Sequence, residues 1–252
     1  MTDNAEPNLL SESSLAREGK IIRLMDFFDR AYIINLPERV DRRREMDAEL
    51  KKVGMLGQSA KLQYFPAVRP DDAGGFPSRS VRGCFMSHLS ALKKAYTEGL
   101  SNLLIMEDDL SFEPAFVATE TAIVEMLSQH DWGFAYFGHG LAIPPGTKPM
   151  EPYHGPIVLA HFYAVNGPCL GNLVAFLEQL LTRSPGDPEG GPMHVDGAFS
   201  TFRERNPDIV TLVANPSMGG QRSSRSDIHP SWFDRIPILR SMAGLARSRL
   251  RR

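Results

Sequence analysis

An α/β fold, one layered domain around a mostly parallel central sheet, is predicted by three observations. Short apolar runs rich in β-formers recur along the chain, stretches with helical spacing lie between most of them, and one run ends on three consecutive carboxylates. Strands alternating with helices build a parallel sheet covered by helices. Ligands then gather beyond the carboxyl ends of the strands. A length of 252 residues is enough for one such domain with a substantial core.

Taken in order, residues 1–27 are polar and then mildly amphipathic, and read as a partly disordered N-terminal extension. Ala31 to Leu36 is the first strand, ended by Pro37. Val40 to Val53 has helical spacing through Met46 and Leu50, with Gly54 as its stop. Leu62 to Phe65 is a second strand, and Arg69 to Ser80, rich in Gly, Pro and Asp, is a loop. Ser87 is placed to cap a helix carrying Leu89, Leu92 and Tyr96 and ending at Gly99. A strand over Asn102 to Met106 follows, then a helix from Pro114 to about Ser128. Gly133 to Phe137 is another strand, and Ile157 to Val165 holds one or two more. Gly171 to Thr182 is amphipathic, Ser184 to Pro192 is a Pro/Gly loop, Val195 to Arg205 is a helix, and Ile209 to Val213 is the last strand. The folded domain is expected over 28–232, with 233–252 as a tail.

Composition excludes some function classes. The net charge of −2 gives no reason to expect a nucleic-acid partner. The two cysteines, Cys84 and Cys169, form no close metal-type pair, which suits a reducing compartment. Neither a basic and apolar leader nor a run of about 20 apolar residues is visible, so a soluble, cytoplasmic protein is expected. After Asp234 come six arginines with no acid, interleaved with Ile236, Ile238, Leu239, Met242, Leu245 and Leu250. Such a basic amphipathic tail suits peripheral contact with the inner face of the cell membrane, or equally a helix docked on the domain.

Leu103 to Met106 runs straight into Glu107, Asp108 and Asp109. Adjacent carboxylates raise one another's pKa unless a positive charge sits among them. A divalent cation with a taste for oxygen supplies that charge and leaves sites open for phosphate. The rival explanation is an acidic patch at a helix N-terminus, which suits Glu113 beside Pro114 better. Asn35, Arg39 and Arg42, at a strand end and a helix start, offer amide and guanidinium donors to a nucleotide. Arg43 and Arg44 read instead as a solvated basic face. Gly83 with Ser87 and His88 sets polar groups at an apparent helix start, where an anion fits, although Ser87 alone reads as a cap and His88 as a packed histidine. Cys84 reads as a small buried side chain. Gln221, Ser226, Asp227 and His229 fall in a polar, glycine-bearing loop.

These four pieces, in this order, resemble glycosyltransferase family 25, the bacterial lipopolysaccharide and lipooligosaccharide galactosyltransferases and related collagen galactosyltransferases. The resemblance rests on Ile34-Asn35-Leu36 with Arg39, Asp41 and Arg42; Gly83-Cys84 with Ser87-His88; Leu104 through Asp109; and Gln221 with Ser226-Asp227-Ile228. Leu92 stands where the family pattern carries an aromatic. The resemblance implies a single-domain nucleotide-sugar transferase fold of the GT-A type, a UDP-sugar donor, Mn²⁺ (or Mg²⁺) and inversion at the anomeric carbon. By position it makes Asp109 a metal ligand, Glu107 a helper at metal or ribose, and Asp108 a donor-site residue. Asn35, Arg39 and Arg42 become the nucleotide end, and Ser87 and His88 part of the donor pocket.

The chemistry fits that implication. A leaving UDP needs its developing charge neutralised, and inversion needs one base for the acceptor hydroxyl. Asp196, just after the Pro/Gly loop, is the candidate base, with a helix N-cap as its plainer role. His229 is a candidate third metal ligand, since neutral imidazole serves Mn²⁺. His139 and His161 read as packed or solvent-facing. The expected function is therefore transfer of a hexose, foremost galactose from UDP-galactose, to a glycan or glycolipid acceptor. The alternatives are a Mg²⁺-dependent phosphotransferase or phosphatase, and a sugar-nucleotide-binding module without turnover.

Overall fold

The structure is a computed structural model in which residues 23–57, 60–144, 146 and 148–222 are described. They form α1 (Leu24–Phe27), β1 (Arg30–Asn35), α2 (Val40–Lys52), β2 (Leu62–Pro66), α3 (Arg79–Thr97), β3 (Asn102–Glu107) and β4 (Leu110–Phe112). These are followed by α4 (Ala115–Gln129), β5 (Phe134–Tyr136), β6 (Met150–Pro152), β7 (Phe162–Asn166), α5 (Gly167–Leu181), α6 (Val195–Arg205), β8 (Thr211–Ala214) and β9 (Gly219–Gln221). No helix among the described residues is long and apolar enough to cross a membrane.

Seven strands make the central sheet in the order β2-β1-β3-β7-β5-β8-β6. β2 and β3 both run parallel to β1, β7 runs against β3, β5 against β7, β8 along β5, and β6 against β8. Five strands thus share one direction, which bears out the mostly parallel α/β sheet, while β7 and β6 oppose it.

Side chains alternate across a strand, and here each parity builds its own core. Tyr32, Ile34, Leu103, Ile105, Tyr163 and Tyr136 face one layer with α3, α5 and α6. Ala31, Ile33, Leu104, Met106, Phe162 and Phe137 face the other with α1, α2 and α4. The result is a helix–sheet–helix sandwich. Leu24 and Met25, in the expected N-terminal extension, are buried in the second layer, and Arg23 pairs with the buried Glu120 of α4 at 2.7 Å.

Local chemistry fixes most boundaries where the sequence puts them. α2 ends on Lys51 and Lys52, a favourable charge for a helix C-terminus. α5 begins four residues before the expected Gly171, capped by Asn166, whose side chain accepts from Gly167 N–H, with proline in its first turn. α3 departs from expectation. Ser78 caps it, accepting from Val81 N–H, so the helix begins eight residues before Ser87. β4, β6 and β9, each three residues long, carry too few positions for a period to be read.

Candidate active site

The acidic end of β3 divides according to strand parity. Glu107 continues the row of Leu103 and Ile105 toward α3, whereas Asp108, in the turn that follows, reaches α2 on the opposite side.

Asp108 is held closely. Its Oδ1 accepts from Arg42 Nη1 at 2.8 Å and its Oδ2 from Asn35 Nδ2 at 2.8 Å. Asn35 is buried at the end of β1, and Arg43 Nη2 reaches its Oδ1 at 3.4 Å. Arg43, expected on a solvated face, lies 4.5 Å over the Tyr64 ring, while Arg44 is exposed as expected. Arg39 stands at the N-cap of α2, paired with Asp41. Asn35, Arg42 and Asp108 therefore form one connected group, with Arg42 also 3.7 Å from Asp109.

Glu107 is tied on the other side. His88 Nε2 meets its Oε1 at 3.1 Å, Gln221 Nε2 donates to its Oε2 at 2.9 Å, and the Cys84 thiol lies 4.0 Å from Oε1. His88 is buried, stacked on Tyr163, with Nδ1 3.0 Å from the Tyr163 hydroxyl. Burial works against ionisation of Glu107, but the His88 hydrogen bond and the His88, His161 and Gln221 groups outweigh it and hold its carboxyl below the usual range. Cys84 goes the other way: burial, then the charges of Glu107, Asp196 and Asp109, push its thiol well up.

Asp109 is the least satisfied carboxylate of the trio. Burial first, then the charge of Glu107, push its carboxyl up to about 7, against the pull of Arg42 and Arg222. Its Oδ1 is buried without a hydrogen-bond partner. Arg222, a loop arginine with no local sequence signal, donates from its backbone N–H to the Asp109 carbonyl at 2.8 Å. Its guanidinium donates to the carbonyls of Asp108 and Leu110, each at 2.7 Å. The antiparallel pairing of β4 with β9, Leu110 opposite Gln221, delivers both Gln221 and Arg222 here.

Asp196 is the second residue of α6, one past Val195, while His194 occupies the N-cap position. Its Oδ2 accepts from Leu159 N–H at 3.0 Å and its Oδ1 from Gly197 N–H at 2.8 Å. Leu159 has φ of 78°, a left-handed conformation costly for a branched side chain. The carboxylate thus secures a strained loop on the same side of the sheet as Glu107, and its charge is felt at Cys84.

Ser87 requires correction. It lies inside α3, not at its start, and its Oγ accepts from Val68 N–H at 2.7 Å while donating to the Gly83 carbonyl at 2.6 Å. Gly83 is likewise interior to the helix, and a Cβ there would meet the Val68 carbonyl at 2.8 Å. Both residues dock the chain leaving β2 onto α3. His139 and His161 are buried, each bonded to a backbone carbonyl, as packed histidines should be. Ser226, Asp227, His229 and the basic tail lie outside the described residues. A cavity of about 420 Å³, lined by His139, Leu141, Ile143, Asn215, Pro216 and Ser217, opens at the ends of β5 and β8; β7 lies between it and the carboxylates.

Residues 78–139, from the α3 cap through β3 and its acids to β5, match the model of glycosyltransferase family 25 (LPS biosynthesis protein). Inactive glycosyltransferase 25 family member 3 of Homo sapiens is 27% identical over 154 residues, 54% of this chain and 26% of the relative. Procollagen galactosyltransferase 2 of Mus musculus is 30% identical over 129 residues, 44% of this chain and 21% of the relative. Procollagen galactosyltransferase 1-B of Xenopus laevis is 29% identical over 146 residues, 51% of this chain and 24% of the relative. The chain thus spans about a quarter of the length of these curated relatives. A solved glycosyltransferase involved in glycosylation of the major capsid of PBCV-1 aligns with 73% of this chain and 93% of its own, at a TM-score of 0.36 and 12% identity. The family-model match and these curated relatives thus make this part of the chain similar to glycosyltransferase family 25.

Proposed function

We propose that this chain is a metal-dependent, inverting glycosyltransferase. In this reading it moves a hexose, foremost galactose from UDP-galactose, onto a lipopolysaccharide, lipooligosaccharide or other cell-surface glycan. The family-model match over residues 78–139 and the similarity to procollagen galactosyltransferases support the broader statement that it is a glycosyltransferase. One observation carries the donor site: Asp109, at the carboxyl end of the sheet, keeps a buried oxygen without a partner and a carboxyl lifted to about 7. Burial and the Glu107 charge outweigh the pull of Arg42 and Arg222 there, and a hard divalent ion would supply the positive charge still wanting.

The donor set fits such an ion. Asp109 and Glu107 would hold Mn²⁺ (or Mg²⁺) through carboxylate oxygens: Asp109 Oδ1 has no hydrogen-bond partner, and each Glu107 oxygen keeps a second lone pair beyond its bond to His88 or Gln221. His229 stays the proposed third ligand. Bound there, the ion would supply charge neutralisation to the departing UDP. Arg42 and Arg222, beside the carboxylates, are suited to the diphosphate, and Arg39 to the ribose end. Asp108, fixed by Asn35 and Arg42, holds that arginine in place. Asp196 would take the acceptor hydroxyl proton as that oxygen attacks the anomeric carbon and UDP departs from the opposite face.

The deciding experiment is calorimetry of UDP binding with and without Mn²⁺. Asp109→Ala should abolish the Mn²⁺-dependent part; undiminished binding would overturn the assignment. Asp196→Asn should spare UDP binding and lower transfer about 10²–10⁴-fold, as expected for loss of a general base. A second reading, a sugar-nucleotide-binding module without turnover, draws on the relatives named inactive and on the engagement of both Asp196 oxygens by backbone N–H groups. Tight UDP binding with no donor hydrolysis would favour it. In either reading the chain would work in the cytoplasm, resting on anionic lipid through the arginines after Asp234. Neutralising those arginines should release it from anionic vesicles, and retained vesicle binding would refute the tail's role.

A further inference from the structure

Cys84 and His88 sit one helical turn apart on α3, so both side chains leave the same face and converge on Glu107 at the end of β3. The Cys84 Sγ, a His88 ring nitrogen and a Glu107 oxygen all lie within 4.8 Å of one another. The individual separations are 4.0 Å for thiol to carboxylate and 3.1 Å for imidazole to carboxylate. Ligands bonded to one tetrahedral ion at about 2.0–2.3 Å lie at comparable distances from each other, so little movement would be needed.

We infer that Cys84, His88 and Glu107 form a second cation site, selective for a thiophilic divalent ion and for Zn²⁺ above all. The ligand types argue it: thiolate with imidazole favours Zn²⁺ over Mn²⁺ or Mg²⁺, which prefer oxygen. The surroundings argue it too. Ligating histidines are held through their other ring nitrogen, and His88 Nδ1 already meets the Tyr163 hydroxyl at 3.0 Å. The far oxygen of Glu107 is held by Gln221 at 2.9 Å. Cys84 and Glu107 are only partly buried, which leaves an entry path and a fourth position for water. On binding, the thiol yields its proton to solvent and His88 presents Nε2 as a lone-pair donor, with its proton on Nδ1 facing Tyr163. The ion draws on Glu107 but not on Asp109. Zn²⁺ and the proposed Mn²⁺ would therefore compete for one carboxylate.

The test is titration of the full chain with Co²⁺, a coloured substitute for Zn²⁺. A thiolate-to-cobalt charge-transfer band should appear at one equivalent and vanish when Zn²⁺ is added. It should be missing in Cys84→Ser, present in Cys169→Ser, and need about 10-fold more Co²⁺ in Tyr163→Phe, the usual effect of losing an outer partner. Absence of the band in the unaltered chain, or its survival in Cys84→Ser, overturns the site. A readout without substitution guards against a variant that fails to fold: Zn²⁺ should slow alkylation of Cys84, and an unchanged rate also overturns the site. Asp109→Ala should keep the cobalt band while losing Mn²⁺-dependent UDP binding, so failure of this site and failure of the donor site are separable.

Discussion

Asp109 makes the sharpest demands of any single residue. Its carboxyl is lifted to about 7, against about 3.9 in an unfolded chain. Between those values the folded state binds more protons, so the metal-free protein loses stability as pH rises from about 4 to about 7. Asp109→Asn, which cannot ionise, should therefore make the metal-free protein more stable at pH 8 by about 1–3 kcal/mol, with the gap closing toward pH 5. Urea unfolding at both pH values checks this, and equal stabilities at pH 8 would count against the lifted carboxyl. Mn²⁺ binding by the unaltered chain should conversely strengthen as pH climbs through 7, because the ion needs the ionised form. The three acids at the end of β3 were legible as a charged strand end, and so was the involvement of Asn35, Arg42, His88 and Gln221. Their pairing was not, because it depends on which face each acid takes, and that is settled only once α2 and α3 are placed on opposite sides. Tyr163 and Arg222 carried no local signal: one looks like a core aromatic, the other like a loop arginine.

Among the elements, α3 shows how an interior glycine misleads. Gly83 and Ser87 suggested the approach to a helix and its cap, since both residue types are poor in helix interiors. Here they are tolerated because the chain beyond β2 lies against them: a Cβ at Gly83 would sit 2.8 Å from the Val68 carbonyl, and Ser87 Oγ accepts from the Val68 N–H. Gly83→Ala should destabilise by about 1–3 kcal/mol through overpacking against backbone that cannot swing aside. Ser87→Ala, leaving the Val68 N–H unpaired, should cost a similar amount, about 1–3 kcal/mol. Denaturant midpoints would register both losses, and a neutral Gly83→Ala would mean the contact is loose. α2, α4 and α6 could be read from sequence because their apolar residues repeat at helical spacing between clear stops. The reversal of β7 was hidden, since a strand buried on both faces looks alike in either direction.

At the scale of the molecule, the site draws residues from β1, α2, α3, β3 and β9, so occupying it should brace both layers at once. UDP with Mn²⁺ at about 100 times its dissociation constant should add about 2.7 kcal/mol. For a domain of this size that raises the melting temperature by about 5–10 °C. UDP alone or Mn²⁺ alone should give far less, and equal shifts from either would argue against a joint site. The β4–β9 ribbon gives that bracing a gauge. Its last backbone link runs from the Arg222 amide to the Asp109 carbonyl, across only two paired strands of three residues each. A ribbon so short opens readily, so deuterium should enter at Arg222 early in the free protein and late once the nucleotide is seated. One amide proton thereby becomes a clock for donor capture, readable without any acceptor sugar.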